Sequence, residues 1–289
     1  MTSSNITQTI IDTINTIFNN LFSSVDNNLY SILDKLLFIK NDFLNNSLFE
    51  NLLGNSISKS LLVISNSLLV GFTLYYCFKL FFSHFSYIEI EKPYQFIFKI
   101  IFFGICMNSS YFICEKIINI NYLISGSICE IGNNLFNTEI SFSNLILKLD
   151  SIINIGNNSF DIFSVDGIIK SFISIGLFNL IFSYSLRYIL LKVFVLLSPF
   201  AFLTLINNST SWFFKTWIRA FFSLLLLQSF VAIILLIIFS FNFDINNLFS
   251  KFLLIGGIFA LTKANSYMKE LIGGVTTDIQ TNISNIKLK

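Results

Sequence analysis

Residues 220–241 read AFFSLLLLQSFVAIILLIIFSF, and Gln228 is the one strongly polar side chain in this run. At about 1.5 Å per residue, a helix of this length crosses the roughly 30 Å hydrocarbon core of a bilayer. Lipid offers the backbone no hydrogen-bond partners, so an apolar run of this length predicts a transmembrane α-helix. Working outward from this run, we expect an all-α fold and a polytopic integral membrane protein.

The composition of the whole chain agrees with this expectation. Of its 289 residues, 54% are hydrophobic and only 12% are charged, and the mean hydropathy is +0.74. Soluble domains carry about 25% charged residues. The composition therefore excludes an ordinary cytosolic enzyme, a nucleic-acid-binding domain with a basic face and a disordered tail.

The apolar blocks predict about five transmembrane helices. They cover residues 60–82, 94–113, 168–191, 220–241 and, as a shorter last span, 248–263. Residues 193–206 follow the third span, and at about 21 Å they are too short to cross the membrane. Ser198 and Pro199 lie in the middle of this segment, where proline weakens a continuous helix. We therefore expect a structural break there, within a re-entrant or interfacial segment at 193–206.

Charge placement predicts the topology, because Lys and Arg accumulate on the cytoplasmic side. Residues 187–219 hold four cations and no acid, whereas residues 114–167 hold six acids and two lysines. Five crossings of the cell membrane, with the N-terminus outside and the C-terminus inside, place the basic region in the cytoplasm. The expected regions are an extracytoplasmic amphipathic helical region at 1–56, two spans in 57–113, an extracytoplasmic domain at 114–167, three spans in 168–265 and a cytoplasmic tail at 266–289.

The basic region around the start of the fourth span is the candidate functional region. Tryptophan and basic side chains at a helix start suit the headgroup layer, so we predict Trp212 and Trp217 to be interface anchors. A set of cations without acids also favours a polyanion or an acidic partner. The predicted substrate or partner contacts are Arg187, Lys192, Lys215 and Arg219. Anchoring to lipid alone is the alternative interpretation of each residue.

Three polar side chains lie inside predicted spans: Gln228, Asn66 and Asn108. Such groups are costly in lipid unless they are hydrogen-bonded. They either join neighbouring helices, at roughly 0.6 kcal/mol per bond and up to about 2, or line a water-filled path. The sequence leaves both possibilities open.

No catalytic or metal-binding motif is present in the sequence. His84 is the only histidine, the four cysteines lack CxxC spacing, and HExxH, GxSxG and a phosphate-binding glycine loop are all missing. We therefore predict a protein that is not an enzyme and that has no cofactor and no metal site.

Four features follow one another between Arg187 and Gln228. After the arginine near a helix end come Leu-Ser-Pro-Phe-Ala at 197–201, a short polar turn, Phe-Lys-Thr-Trp at 214–217 and the intramembrane glutamine. This pattern resembles the TrbL-type family, the polytopic inner-membrane subunits of type IV secretion (conjugation) systems. The expected topology is also similar, and the small size is similar to members from mobile elements of low-GC Gram-positive bacteria.

The resemblance implies a non-enzymatic channel or scaffold subunit that helps DNA, or protein-bound DNA, across the cell membrane. It also implies several copies of this chain and partners that include other secretion subunits, a cytoplasmic ATPase, the lipid bilayer and the transferred single-stranded DNA. The alternative is a small-solute permease, for which inverted repeats and paired broken helices are expected. A membrane-embedded enzyme comes third, because no paired carboxylates or histidines lie inside the spans.

Overall fold

The computed structural model describes residues 9–10, 12–14, 16–17, 27–40, 43–44, 60–86, 91–153, 165–241 and 247–273. Within these residues the regular elements are all helical, which confirms the all-α class for this part of the chain. They are α1 (Asn27–Leu37), α2 (Leu61–Ser86), α3 (Pro93–Asn108), α4 (Ser110–Phe136), α5 (Phe142–Ile153), α6 (Val165–Leu203), a 3-10 turn (Thr204–Ile206), α7 (Ser211–Ser240) and α8 (Leu248–Ile272).

Three stretches are long and apolar enough to cross a membrane: Leu61–Ser83, Gly167–Ile206 and Ser211–Ser240. Helices α3 and α4 pass the same test together, although they are bent by 58° at the break between them. The described residues thus contain three or four helices that are long and apolar enough to span a membrane, which is compatible with a multi-pass membrane protein. The fifth predicted span, at 248–263, is part of α8 and does not pass that test.

The predicted break at Ser198 and Pro199 is wrong, because α6 continues through the proline to Leu203. A proline inside a helix removes one backbone donor and leaves the carbonyl four residues earlier without its partner. That carbonyl belongs to Val195, and the Ser198 hydroxyl donates to it at 2.7 Å. Residues 193–203 therefore continue the helix of the third predicted span, followed by the 3-10 turn at 204–206, and do not form a separate re-entrant segment.

The predicted outer domain at 114–167 begins inside α4, and the structure corrects this boundary as well. Helix α4 lies beside α7 and runs parallel to it, with Asn121 bonded to Leu225 and Ser125 bonded to Gln228. Because Gln228 lies near the middle of α7, this part of α4 packs at membrane depth. The polar residues of α4 suggested a water-exposed domain, but several of them face α7.

Helix α7 is the central helix of the bundle, and it packs against α4, α6 and α8. Helix α8 runs antiparallel to it, with Gly257 opposite Ile238 and Gly273 near Arg219. A Cβ atom at Gly257 would lie 2.8 Å from Cδ1 of Ile238, so the missing side chain lets the two helices approach closely.

Residues 207–210, between the 3-10 turn and α7, mark one end of the bundle, which we call the turn end.

Helix α1 belongs to the region 1–56, which the sequence predicted to be amphipathic, helical and extracytoplasmic. It is amphipathic, but its apolar face is docked inside this chain, where Leu33 and Leu37 are fully buried against α5 and α6. Beyond it, Ile39, Phe43 and Leu44 are buried in a second cluster with α4, α6 and α7. Most of residues 1–26 and 45–59 lie outside the described residues.

Helices α2 and α3 form an antiparallel pair. Tyr76 stacks on Phe96 with ring centroids 3.6 Å apart, and Phe96 is buried together with Leu203 and Ile206. Lys99 of α3 donates to Asn208 at 3.2 Å, which places the connection between α2 and α3 at the turn end. The outer faces of both helices expose large apolar side chains, as lipid-facing helices do.

Candidate functional site

The guanidinium of Arg187 is completely buried at the centre of the bundle, with 0% of the residue exposed. Its Nε atom donates to the carbonyl of Leu224 on α7 at 2.7 Å. Its Nη1 atom donates to the carbonyl of Leu37 at 2.9 Å and to that of Leu36 at 3.5 Å. Because Arg187 is fully buried, it cannot contact a substrate or partner at the surface. The predicted contact is wrong for this residue, which bonds other parts of the same chain.

A buried cation is costly unless partners compensate for the lost water. Arg187 has no ion pair within the described residues, and its Nη2 atom has no hydrogen-bond partner there. Leu36 and Leu37 are the last residues of α1, where the helix carbonyls lack intrahelical partners and carry partial negative charge. The C-terminus of α1 therefore takes the place of a carboxylate, and the docking of α1 and the burial of Arg187 support each other.

Gln228 joins α7 to two further elements. Its Nε2 atom donates to the Ser125 hydroxyl of α4 at 2.7 Å. Its Oε1 atom accepts from the backbone N–H of Ile39 at 3.2 Å, directly after α1. Of the two possibilities that the sequence left open for Gln228, the structure shows the link between helices.

Asn121 adds a second link between α4 and α7. Its Nδ2 atom donates to the carbonyl of Leu225 at 2.9 Å, and its Oδ1 atom accepts from the Ser229 hydroxyl at 3.1 Å. We call the five buried side chains Asn121, Ser125, Arg187, Gln228 and Ser229 the polar network. The network holds α1, α4, α6 and α7 together within a bundle that is otherwise apolar.

The other three predicted contact residues lie away from the network. Lys215 and Arg219 are exposed and lie four positions apart on α7, so they share one face close to the turn end. Arg219 also lies near Gly273, at the end of α8. Lys192 is partly buried on α6, with Nζ 5.2 Å from the ring centre of Tyr188 and 5.3 Å from that of Phe43. Lys215 and Arg219 thus lie on the same exposed face of α7, whereas Lys192 packs against aromatic rings.

The two tryptophans differ from each other. Trp212 is 63% exposed in the first turn of α7, a position that suits an interface anchor. Trp217 is only 3% exposed, stacks on Phe221 and donates from its indole nitrogen to the carbonyl of Phe194 at 2.9 Å. Trp217 is therefore a core residue that fastens α7 to α6, and its predicted role as an interface anchor is wrong.

Asn66 and Asn108 join α2 to α3. Nδ2 of Asn66 donates to Oδ1 of Asn108 at 3.1 Å, and the reverse bond is 3.3 Å long. Nδ2 of Asn108 also donates to the carbonyl of Gly104 in its own helix, at 2.9 Å. Of the two possibilities that the sequence left open for Asn66 and Asn108, the structure shows the link between helices, just before the bend between α3 and α4.

Asp34 anchors α1 to the start of α5. Its carboxylate accepts from the backbone N–H of Phe142 at 2.7 Å, and from Ser143 through the hydroxyl at 2.8 Å and the N–H at 3.3 Å. An acid at a helix N-terminus meets the unbonded amides and the positive end of the helix dipole. Partial burial nevertheless raises the pKa of Asp34, while these hydrogen bonds act to lower it.

Sequence reasoning missed Asp34, Asn121, Ser125 and Ser229, and it missed the partners of Arg187. Asn121 and Ser125 are one helical turn apart, so they share a face, and this spacing was a signal for an interhelical contact. The remaining bonds run largely to backbone atoms more than 100 positions away, which residue types do not reveal.

No group of three or more His, Cys, Asp or Glu side chains in the described part of the chain is arranged to hold a metal ion. The network itself has donors and acceptors but no nucleophile paired with a base, so its chemistry is binding and positioning. Comparison with protein-family models, curated proteins and solved structures finds no match to this chain.

Proposed function

We propose that this chain is a non-enzymatic membrane subunit of a conjugative type IV secretion channel, which helps DNA or protein-bound DNA cross the cell membrane. The proposal rests on the resemblance of residues 187–228 to TrbL-type subunits and on a multi-pass helical fold. The single structural observation that carries it is the exposed pair Lys215 and Arg219 beside the turn end, in a segment without acids.

The geometry narrows the surface that would meet a substrate or partner. Arg187 and Trp217 are internal, and Lys192 packs against aromatic rings. Lys215 and Arg219 remain exposed, next to the end of α8. Two adjacent exposed cations attract a polyanion such as single-stranded DNA, or an acidic face of a cytoplasmic ATPase.

The proposal places the turn end in the cytoplasm, following the positive-inside rule. The C-terminus would then lie inside the cell and the N-terminus outside. Other secretion subunits and further copies of this chain would contact the exposed apolar faces of α2 and α3, which otherwise meet lipid. Energy would come from the ATPase.

The experiment is conjugative transfer from a donor that lacks only this gene, with and without a copy supplied in trans. Transfer should be lost and then restored by the wild-type copy. The double variant K215A/R219A should restore it at least tenfold less well at equal membrane abundance, because two charge-assisted contacts are removed. The matched control is K148A/K251A, which removes two cations near the opposite end of α7 and should restore transfer.

Normal transfer from the deletion donor would contradict the proposal. Equal transfer with K215A/R219A and with wild type would show that Lys215 and Arg219 do not contact the substrate or partner. Substrate-dependent uptake by vesicles that hold only this protein would favour the permease alternative.

A further inference from the structure

An open cavity of about 200 Å³ lies between the parallel helices α4 and α7, and we call it the α4–α7 groove. Its wall consists of Ile117, Ile120, Asn121, Ile124, Phe222, Leu225 and Leu226. Asn121 is the one polar residue of this wall, and both ends of its amide bond to α7. Ile120 is 57% exposed and Ile124 is 46% exposed. The groove therefore presents an apolar surface to the surroundings of the bundle.

The groove lies beside the hydrocarbon-spanning part of α7. The apolar run of this helix begins at residue 220, and the α7 residues of the wall lie within its first two turns. Arg219 directly precedes the run, and Lys215 lies one turn before Arg219. At about 1.5 Å per residue, Lys215 is roughly 16 Å from Leu226 along the helix. The groove is thus at the depth of acyl chains, whereas the two cations are at the level of the headgroups.

The two cations lie on the same side of α7 as the groove. Lys215 and Arg219 precede Phe222 by seven and three positions, so the three side chains form one stripe along the helix. Both cations are exposed and make no ion pair within the described residues. On the α4 side, Nζ of Lys116 lies 3.6 Å from the carboxylate of Glu115, so these two charges compensate each other. The positive charge at the mouth of the groove is therefore carried by α7.

We propose that the α4–α7 groove binds one acyl chain of an anionic phospholipid such as phosphatidylglycerol, with the lipid phosphate against Lys215 and Arg219. An apolar groove that leads to two cations at headgroup level matches a molecule with a hydrocarbon chain below an anionic group. Basic pockets between transmembrane helices are a known type of site for anionic headgroups. Pockets for whole drug-sized ligands are larger, at about 300–1,000 Å³, so this groove suits a segment of one chain.

This inference does not rest on the proposed function, although both use Lys215 and Arg219. A strand of DNA or an acidic protein would contact the cations alone, whereas a lipid also needs the groove. Lipid binding is measured on the isolated protein and conjugative transfer is measured in cells, so the two proposals fail separately. A variant that fills the groove keeps both cations and therefore tests the lipid alone.

The experiment uses the full-length protein, stripped of lipid in detergent. Native mass spectrometry measures binding of phosphatidylglycerol and phosphatidylcholine with identical acyl chains, and of glycerophosphoglycerol, which has the same headgroup without chains. We expect phosphatidylglycerol to bind about 25-fold more tightly than phosphatidylcholine, because each of two cations near a membrane surface contributes about fivefold. Glycerophosphoglycerol should bind at least about tenfold more weakly than phosphatidylglycerol, because it leaves the groove empty.

The first pair of variants tests the headgroup contact. K215A/R219A should lower phosphatidylglycerol affinity about 25-fold, to the level of phosphatidylcholine. The matched control is K148A/K251A, which removes two cations near the opposite end of α7 and should leave the affinity unchanged. Thermal unfolding of each variant reports whether it is folded.

The second pair of variants tests the chain contact. Ile124→Trp fills the groove from its exposed wall and should lower the affinity for both lipids at least about fivefold, because the chain loses its packing contacts. The matched control is Leu123→Trp, which places the same ring on an exposed position of α4 outside the wall and should leave binding unchanged.

Equal binding of phosphatidylglycerol and phosphatidylcholine would overturn the proposal, as would phosphatidylglycerol binding that a folded K215A/R219A or I124W variant retains. Glycerophosphoglycerol binding as tight as that of the intact lipid would show that the cations bind a free phosphodiester without the groove. A dimer of the stripped protein that I124W separates would place a second copy in the groove and would also contradict the lipid.

Discussion

The Nη1 atom of Arg187 donates to the carbonyl of Leu37 across 2.9 Å and 150 positions of sequence. This bond brings the last turn of an N-terminal helix into the middle of the transmembrane bundle. Because no carboxylate pairs with Arg187 in the described part of the chain, the helix end supplies the compensating negative potential. The N-terminal helix is thus an internal element of the bundle.

Replacing Arg187 by methionine should loosen α1. The carbonyls of Leu37 and Leu224 would each lose a hydrogen bond from a charged donor, although that of Leu37 keeps its bond from the N–H of Ile39. A hydrogen bond to a charged group contributes about 1.5–3 kcal/mol. We expect a loss of about 2–4 kcal/mol in the free energy of unfolding, measured by denaturant titration in detergent. Trypsin should also cut faster after Lys35 and Lys40, which flank the released helix end.

The control for this change is Arg219→Met, which removes an exposed arginine and should alter the free energy of unfolding by less than about 0.5 kcal/mol. If R187M unfolds like the wild type and α1 keeps its protection from trypsin, the bond to Leu37 does not hold the helix.

Gln228 and Ser125 should show energetic coupling. Interhelical hydrogen bonds in membranes average roughly 0.6 kcal/mol and reach about 1.7, and this bond is short and buried. A double-mutant cycle with Gln228→Leu and Ser125→Ala should therefore give a coupling free energy of about 0.5–1.7 kcal/mol. As the matched control, Ser223→Ala replaces Ser125→Ala in the same cycle with Gln228→Leu and should give no coupling. The Ser223 hydroxyl is also buried, and it has no partner among the described residues. Zero coupling would mean that the two side chains do not share this bond in solution.

The sequence was sufficient to predict the helical class and the spans at α2, α6 and α7, because long apolar runs permit few other structures. It also indicated that Gln228, Asn66 and Asn108 need polar partners, since unbonded amides are costly in lipid, but it left open whether neighbouring helices or water supply them. It did not predict the surroundings of α4. Polar residues such as Asn121 suit a water-exposed helix as well as one that bonds a neighbour, and only the tertiary contact separates the two cases.

Arg187 and Trp217 were misplaced for a related reason. Basic and aromatic side chains near a span end usually lie at the interface, and this prior fitted Trp212. The carbonyls that accept from Arg187 and Trp217 carry no side-chain signature, because the backbone of every residue offers the same group. The residue types of Arg187 and Trp217 therefore predicted a position at the surface. Both residues are buried instead, because backbone carbonyls accept their hydrogen bonds.

Stability should depend on pH through Asp34. Burial raises its pKa above the ordinary value of 3.8, so the folded protein binds this proton more tightly than the unfolded chain does. The resulting stabilisation is complete below pH 3.8 and is lost as the pH rises through the folded-state pKa. The unfolding free energy of the wild type minus that of Asp34→Asn should therefore decrease as the pH rises from 3.8 through the folded-state pKa, because the asparagine side chain does not titrate.

Thermal unfolding of wild type and Asp34→Asn from about pH 3.5 to about pH 8 measures this difference, because a raised carboxyl pKa lies within that range. Asp12→Asn is the control, since it removes an exposed carboxylate outside the contact between α1 and α5. A difference between wild type and D34N that increases with pH would show that the hydrogen bonds from Phe142 and Ser143 outweigh burial.

The hydroxyl of Ser198 should matter most while residue 199 is a proline. In the wild type the Val195 carbonyl accepts from Ser198 because Pro199 has no N–H to offer. Ser198→Ala leaves that buried carbonyl without a partner, at a cost of about 1–3 kcal/mol in the free energy of unfolding. In the Pro199→Ala background the backbone N–H of the introduced alanine donates to Val195 instead, so the same serine change should cost less than about 0.5 kcal/mol. Denaturant unfolding of the four proteins in detergent measures both values. Equal costs in the two backgrounds would show that the hydroxyl does not compensate for the proline, and the continuity of α6 would then need another explanation.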